Sequence, residues 1–273
     1  MPAYICTTCG VQYTDSPIAP EQCPICNDER QYIGPEGQHW TTLDELQRTH
    51  HNEFLPLEAG LTAITTAPKF AIGQRAMLVE TPQGNVLWDC ISLIDDETVA
   101  ALQERGGVSA MAICHPHFYD SMAEWSRALD HVPIYLHAAD RRWVMRPDPA
   151  IRFWEGETLT LNDEITLVRC GGHFPGSSVL HWQSGTDGKG LLLTGDTITV
   201  VADRRYVTFM YSYPNQIPLH AGAVRRIVAA VEPFTFDRIY GGWSGSVIEQ
   251  EAKAAVVRSA ARYVRALEGH YPA

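Results

Sequence analysis

Three short stretches, His115-Pro116-His117, Gly172-His173 and Gly195-Asp196, each stand where an apolar, strand-like run gives way to a turn marked by glycine or proline. Loops that follow strands can carry side chains from distant parts of a chain to one point. Three imidazoles and a carboxylate gathered in this way suit a metal ion, whereas a packed apolar core has no use for them. The pattern therefore restricts the chain to folds in which several strand ends converge.

A second concentration of ligand chemistry lies at the front. Cys6-Thr7-Thr8-Cys9 and Cys23-Pro24-Ile25-Cys26 are separated by 13 residues that include Pro17 and Pro20. Two such turns place four thiolates at tetrahedral spacing, and the short connection closes a knot around one ion. The segment is too short and too polar to bury a useful core, so the metal must supply much of its folding free energy. Gly34, Pro35 and Gly37 mark a boundary, which divides the chain into a module at 1–36 and a domain at 37–273. Cys90, Cys114 and Cys170 lie in apolar runs and read as buried thiols.

Length and charge narrow the function. A chain of 273 residues holds one substantial core, or a core with a small appendage. No apolar run approaches the roughly 18–20 residues that a membrane helix needs. The first residues, MPAYICTTCG, do not read as a signal peptide, so a cytoplasmic location and no membrane partner are expected. The formal net charge of −11 repels phosphate backbones and argues against nucleic acid as a partner. Arg141, Arg142 and Arg146 form the one basic cluster in mid-chain, a candidate local pocket.

Thr42-Leu43-Asp44-Glu45 has the form of a capped helix start. Strands are expected at 61–66, 75–80 and 85–91, with Gln83-Gly84-Asn85 turning between the last two. A helix over 96–105 ends at Gly106-Gly107, and the apolar run 108–113 delivers the chain to His115. Strand and turn alternate through 132–138, 151–154, 158–170 and 177–183. A turn at 185–190 precedes Leu191-Leu192-Leu193, and helices are expected near 217–231 and 246–267. This order favours an α+β fold of two mixed sheets with helices outside.

Taken together, these residues resemble the metallo-beta-lactamase superfamily over about 60–270. The resemblance is carried by Leu87-Trp88-Asp89-Cys90, His115-Pro116-His117, the GGHFPGSS stretch with His173, the LLLTGD stretch ending in Asp196, and the late IYGGW segment. It implies an αββα sandwich preceded by a four-cysteine zinc ribbon. The cysteine turns are also similar to those of rubredoxins, but Asn27 stands where rubredoxins commonly have glycine, and only Tyr4, Tyr13 and Tyr32 are nearby aromatics. Zinc is therefore expected at Cys6, Cys9, Cys23 and Cys26.

The family's first motif reads H-x-H-x-D-H. Here Tyr119 occupies the carboxylate position and Asp120 the last histidine position, and Trp243 stands where a late histidine is usual. The resemblance implies a first metal held by His115, His117 and His173, with Asp196 retained. Zinc is expected there, with iron or manganese as alternatives, and one ion rather than two. Asp120 is a candidate ligand or general base and Asp196 a candidate catalytic carboxylate. Asp89 and Tyr119 are expected behind the ligands, while His137, Tyr211, Tyr213, His220 and Trp243 are candidates for the substrate pocket.

The implied activity is hydrolysis of a small ester, thioester or amide-like substrate by hydroxide generated at the metal. Glyoxalase II-like and lactamase-like chemistry remain open alternatives. A second class is a binding or regulatory protein that kept the scaffold and lost turnover. A third is an iron-dependent oxidoreductase, against which the missing second-metal ligands count. The partner expected is a small-molecule substrate, and a homodimer is left open.

Overall fold

Residues 61–67 and 76–79 form neighbouring strands because their apolar side chains are almost all buried, as a strand inside a sheet requires. The computed structural model describes residues 1–271, and the chain divides into two units, Met1–Trp154 and Glu155–Ala273.

The first unit opens with β1 (Ile5–Cys6), the one-turn helix α1 (Pro24–Asn27) and β2 (Trp40–Thr41), with β1 antiparallel to β2. Helix α2 (Leu43–Thr49) starts where the sequence marks it. The Thr42 hydroxyl accepts from the Glu45 amide, and the Glu45 carboxylate accepts from the Thr42 amide, which closes a capping box. There follow β3 (His51–Glu58), β4 (Leu61–Ala67), β5 (Ala76–Val79), β6 (Val86–Trp88), α3 (Asp96–Glu104), β7 (Ala110–Ala112), α4 (Met122–Ala128), β8 (Ile134–His137) and β9 (Ile151–Trp154). Strands β3 to β9 form one seven-stranded sheet in sequence order. Pairing is antiparallel from β3 to β6 and parallel from β6 to β9. The parallel half aligns the ends of β6 and β7, and there Asp89 and the His115 loop emerge.

Strand β3 and helix α4 were not anticipated. Pro56 lies inside β3, and a proline cannot donate to a ladder. It is tolerated because β3 is an edge strand that pairs with β4 alone.

The second unit contains β10 (Thr158–Thr160), β11 (Ile165–Arg169), β12 (Ser178–Trp182), a helical turn α5 (Gly185–Gly188), β13 (Leu191–Leu193), β14 (Thr199–Val200), β15 (Val207–Thr208), β16 (Met210–Ser212), β17 (Ile217–Pro218), α6 (Ala221–Val231), β18 (Arg238–Tyr240), β19 (Val247–Ile248) and α7 (Ala252–Leu267). Its six-stranded mixed sheet runs β10-β11-β12-β13-β18-β19. Two helices are shorter than expected, because residues 217–218 pair with β16 and residues 247–248 pair with β18. The 158–170 segment is two strands, turned by Asn162, whose side chain accepts from the amides of Glu164 and Ile165.

Helix α6 buries Val224, Ile227 and Val231, spaced three and four apart on one stripe. They join Val179, Leu192 and Phe209 in the core of this unit, and each buried aliphatic side chain contributes about 1.5–3 kcal/mol. Gly172 lies against this core with φ of +83°. That left-handed backbone favours glycine, and a Cβ there would come within 2.9 Å of the Cδ1 atoms of Ile227 and Leu219, just before His173.

The α2 cap is a clean test of the local reading. Thr42→Ala is expected to lower unfolding free energy by about 1 kcal/mol, measured by urea denaturation. An unchanged midpoint would remove the capping box from the account.

Candidate metal centres

The four front cysteines are fully buried and their sulfurs converge. Cys6 and Cys26 Sγ lie 3.6 Å apart, and Cys9 and Cys23 Sγ 3.7 Å apart. A tetrahedron with metal–sulfur bonds of ~2.3 Å has edges of about 3.8 Å, so the spacing fits a tetrathiolate ion. The Tyr13 hydroxyl donates to Cys23 Sγ at 3.0 Å, the Gln38 amide to Cys6 Sγ at 3.1 Å, and the Cys26 amide to Cys23 Sγ at 3.4 Å. Hydrogen bonding with Cys23 pushes the Cys6 thiol well below its usual range, while a separate hydrogen bond with Cys23 pushes Cys9 up. Such a split arises when crowded thiols share too few protons, and a divalent cation resolves it by stabilising all four thiolates.

The second candidate metal group is His115 and His117 of the first unit with His173 and Asp196 of the second, all four of them buried. His115 and His117 flank Pro116 in a single 3-10 turn that follows β7, with ring centroids 5.3 Å apart. Upstream, Asp89 Oδ1 accepts from the Cys114 amide at 2.9 Å and pins the start of this loop. Cys114 Sγ sits 3.0 Å from His115 Nδ1, which leaves Nε2 as the ligand atom. His173 follows the Gly171-Gly172 turn, and its Nδ1 donates to the Met210 carbonyl at 3.2 Å. That bond sets the tautomer and directs Nε2 to Asp196 Oδ2, 3.7 Å away. Three imidazoles and a carboxylate form the donor set of a zinc site.

No family model matches the chain. YmaE of Bacillus subtilis strain 168 is 49% identical over 269 residues, covering 98% of this chain and 97% of YmaE. The chain belongs to the YmaE family. Solved structures of low identity share its fold. VMB-1 aligns at a TM-score of 0.58 and 12% identity over 80% of this chain and 98% of its own. The metallo-beta-lactamase FIM-1 of Pseudomonas aeruginosa, in its mono-zinc form, aligns at 0.57 and 14% over 78% and 96%. The fold of this YmaE-family chain is thus metallo-beta-lactamase-like, with mixed α/β sheets and helices and an added four-cysteine cluster consistent with a zinc ribbon. Both clusters are consistent with zinc.

The remaining candidates make contacts of their own. Asp120 is not in the histidine group: its Oδ2 accepts from the Gln74 amide at 2.7 Å, and its Oδ1 lies 2.6 Å from Ser92 Oγ. Tyr119 is buried, and burial pushes its phenol well above the usual range. His137 caps a 3-10 turn through Nδ1 and stacks edge-on against Trp154, centroids 4.5 Å apart. His220 is exposed and caps α6 by accepting from the Ala223 amide. Tyr211 packs against the core of its own unit.

Tyr213 and Trp243 stay near the centre. The Tyr213 hydroxyl donates to the Asp196 carbonyl at 2.7 Å, and its ring lies 5.8 Å from that of His173. Half-buried Trp243 follows Gly242, whose amide donates to the Gly195 carbonyl at 2.9 Å. The three arginines have separate partners. Arg141 stacks on Phe153, Arg142 on Trp143, and Arg146 pairs with Asp15 and Glu124. Sequence reasoning missed Gly10, Gln74 and Ser92, and no local motif distinguishes Gln74 or Ser92 from ordinary polar residues.

Asp120 has an unusual proton balance. Ser92 Oγ has a single hydrogen, yet it lies within hydrogen-bond distance of Asp120 Oδ1 and, at 2.8 Å, of the Gly10 carbonyl. Were Asp120 protonated, it could donate to Ser92 and free the Ser92 hydrogen for Gly10. Burial pushes the Asp120 carboxyl up from 3.8 to about 8, against the hydrogen bonds of Ser92 and Gln74, which lower it. Because the folded value is raised, its stabilising proton is fully present below pH ~4 and is lost as pH rises through about 8. Asp120→Asn, which mimics the neutral acid, should therefore gain stability relative to wild type across that interval. Urea unfolding at several pH values measures it, and a pH-independent difference between the two proteins would refute a neutral Asp120.

Proposed function

We propose that the chain is a metal-dependent hydrolase acting on a small ester, thioester or amide-like substrate. The observation that carries this reading is the buried group of three histidines and Asp196 on a metallo-beta-lactamase-like fold. His115, His117 and His173 hold a zinc ion through Nε2 in this reading. When bound there, zinc supplies Lewis acidity, lowering the pKa of water and polarising a carbonyl. The chain's own residues do the rest. Asp196 orients the attacking water and takes its proton, and the Met210 carbonyl keeps His173 in the tautomer that presents Nε2. Asp89 holds the backbone at Cys114 and with it the angle of His115. Tyr213 and Trp243 border the substrate in this proposal.

One ion rather than two is favoured, because the positions that would serve a second are spent elsewhere. Both Asp120 oxygens lie against Ser92 and Gln74, Tyr119 is buried, and position 243 is tryptophan. The 1–36 segment is proposed as a zinc-closed module ahead of a 37–273 catalytic domain, and a small molecule as the partner. The same diversion of Asp120 supports a second reading, a ligand-binding protein without turnover.

Elemental analysis of purified protein is expected to show two zinc equivalents, of which His173→Ala loses one. Turnover on a panel of thioesters, lactones and beta-lactams should fall in His173→Ala by more than the roughly 10–100-fold typical of changes behind the ligands. One zinc equivalent in the wild type after metal supplementation defeats the proposal, and two equivalents with no turnover on any substrate favour the binding protein.

A further inference from the structure

The turn that closes the cysteine knot touches the loop that carries two of the histidines. Gly10 follows Cys9, and its amide donates to the Cys6 carbonyl at 2.8 Å within the knot. Its carbonyl accepts from Ser92 Oγ, which also contacts Asp120. Gly10 has φ of +87°, and a Cβ built on it would stand 2.3 Å from Asp120 Oδ1 and 2.6 Å from Ser92 Oγ. No side chain fits that space without displacing the Asp120 carboxyl. Two residues on, the Gln12 amide donates to the Asp120 carbonyl at 2.9 Å. Arg146 then bonds Gln12, Asp15 and Glu124 of α4, the helix that leaves the loop. The knot thus grips the His115–Asp120 loop at its far end, while Asp89 holds its start.

We propose that Asp120 is a positioning residue that fastens the His115–His117 loop to the cysteine knot, so that the knot sets the geometry of the histidine metal centre. The inference rests on the histidines holding a metal, as proposed above. It gives the buried Asp120 carboxyl a reason to be there: Gln74 and Ser92, from separate segments, contact its two oxygens, and Ser92 links it in turn to the Gly10 carbonyl. It also gives the knot a function beyond stabilising its own module. Disturbing the contact weakens metal binding at histidines that the mutated residue never touches.

Cobalt(II) titration of full-length protein separates the two centres. A mild chelator first clears the histidine site, and elemental analysis confirms that the knot keeps its zinc. Cobalt at the histidine site is read from its visible d–d absorption. Gly10→Ala and Asp120→Ala are expected to raise the cobalt Kd at least about tenfold, with knot zinc and far-ultraviolet circular dichroism retained. Asp120→Asn keeps the shape and hydrogen bonds of the neutral acid and should bind close to wild type. A purely stabilising role would leave Kd unchanged in all three variants, and that result overturns the inference while leaving the metal site standing. If Gly10→Ala fails to fold, the Asp120→Ala and Asp120→Asn pair decides alone. No cobalt band in the wild type overturns both the metal site and this inference.

Discussion

Crowding four thiols together, or three imidazoles against a carboxylate, is unfavourable inside a protein unless a positive charge offsets what burial removes from water. This chain does both, and the surrounding structure is organised to make each arrangement tolerable. Around the sulfurs, Tyr13, Gln38 and the Cys26 amide donate hydrogen bonds that favour thiolate. Around the imidazoles, the Met210 carbonyl and the Cys114 sulfur occupy the far nitrogens of His173 and His115. In both places the protein's own hydrogen bonds orient the donor atoms.

Loops attached to strand ends suit this task because the strands are rigid and the loops are short. Strands β6 and β7 run parallel, so their C-terminal ends lie side by side, and Asp89 can reach across to the amide of Cys114. Asp89 itself has φ of +62°, a left-handed conformation unusual for a residue with a side chain. That backbone is held by the hydrogen bond its amide donates to the Ala112 carbonyl at 2.8 Å. Local strain and loop placement belong to one device, in which a bent strand end aims a carboxylate at its neighbour.

Much of this was legible in the chain. The CxxC turns, the Thr42–Glu45 capping box and the glycines before His173 act over a few residues, where backbone geometry leaves few choices. Helix α6 was expected near 217–231 and begins later, since Ile217 and Pro218 join a strand whose partner lies at Met210–Ser212. Strand β3 escaped notice because Pro56 and a run of exposed side chains look unlike a strand until its edge position is known.

Asp120 marks the line between the two kinds of information. Its place three residues after His117 made it a natural candidate for a ligand, and nothing nearby in sequence argues otherwise. Its direction depends on Ser92, 28 residues away, Gln74, 46 residues away, and a glycine more than a hundred residues upstream. Residue type and short spacing declare which atoms are able to bind a metal, because ligand chemistry is a property of the side chain. Where a buried carboxyl points is a property of everything packed around it, and that emerges only when distant segments meet.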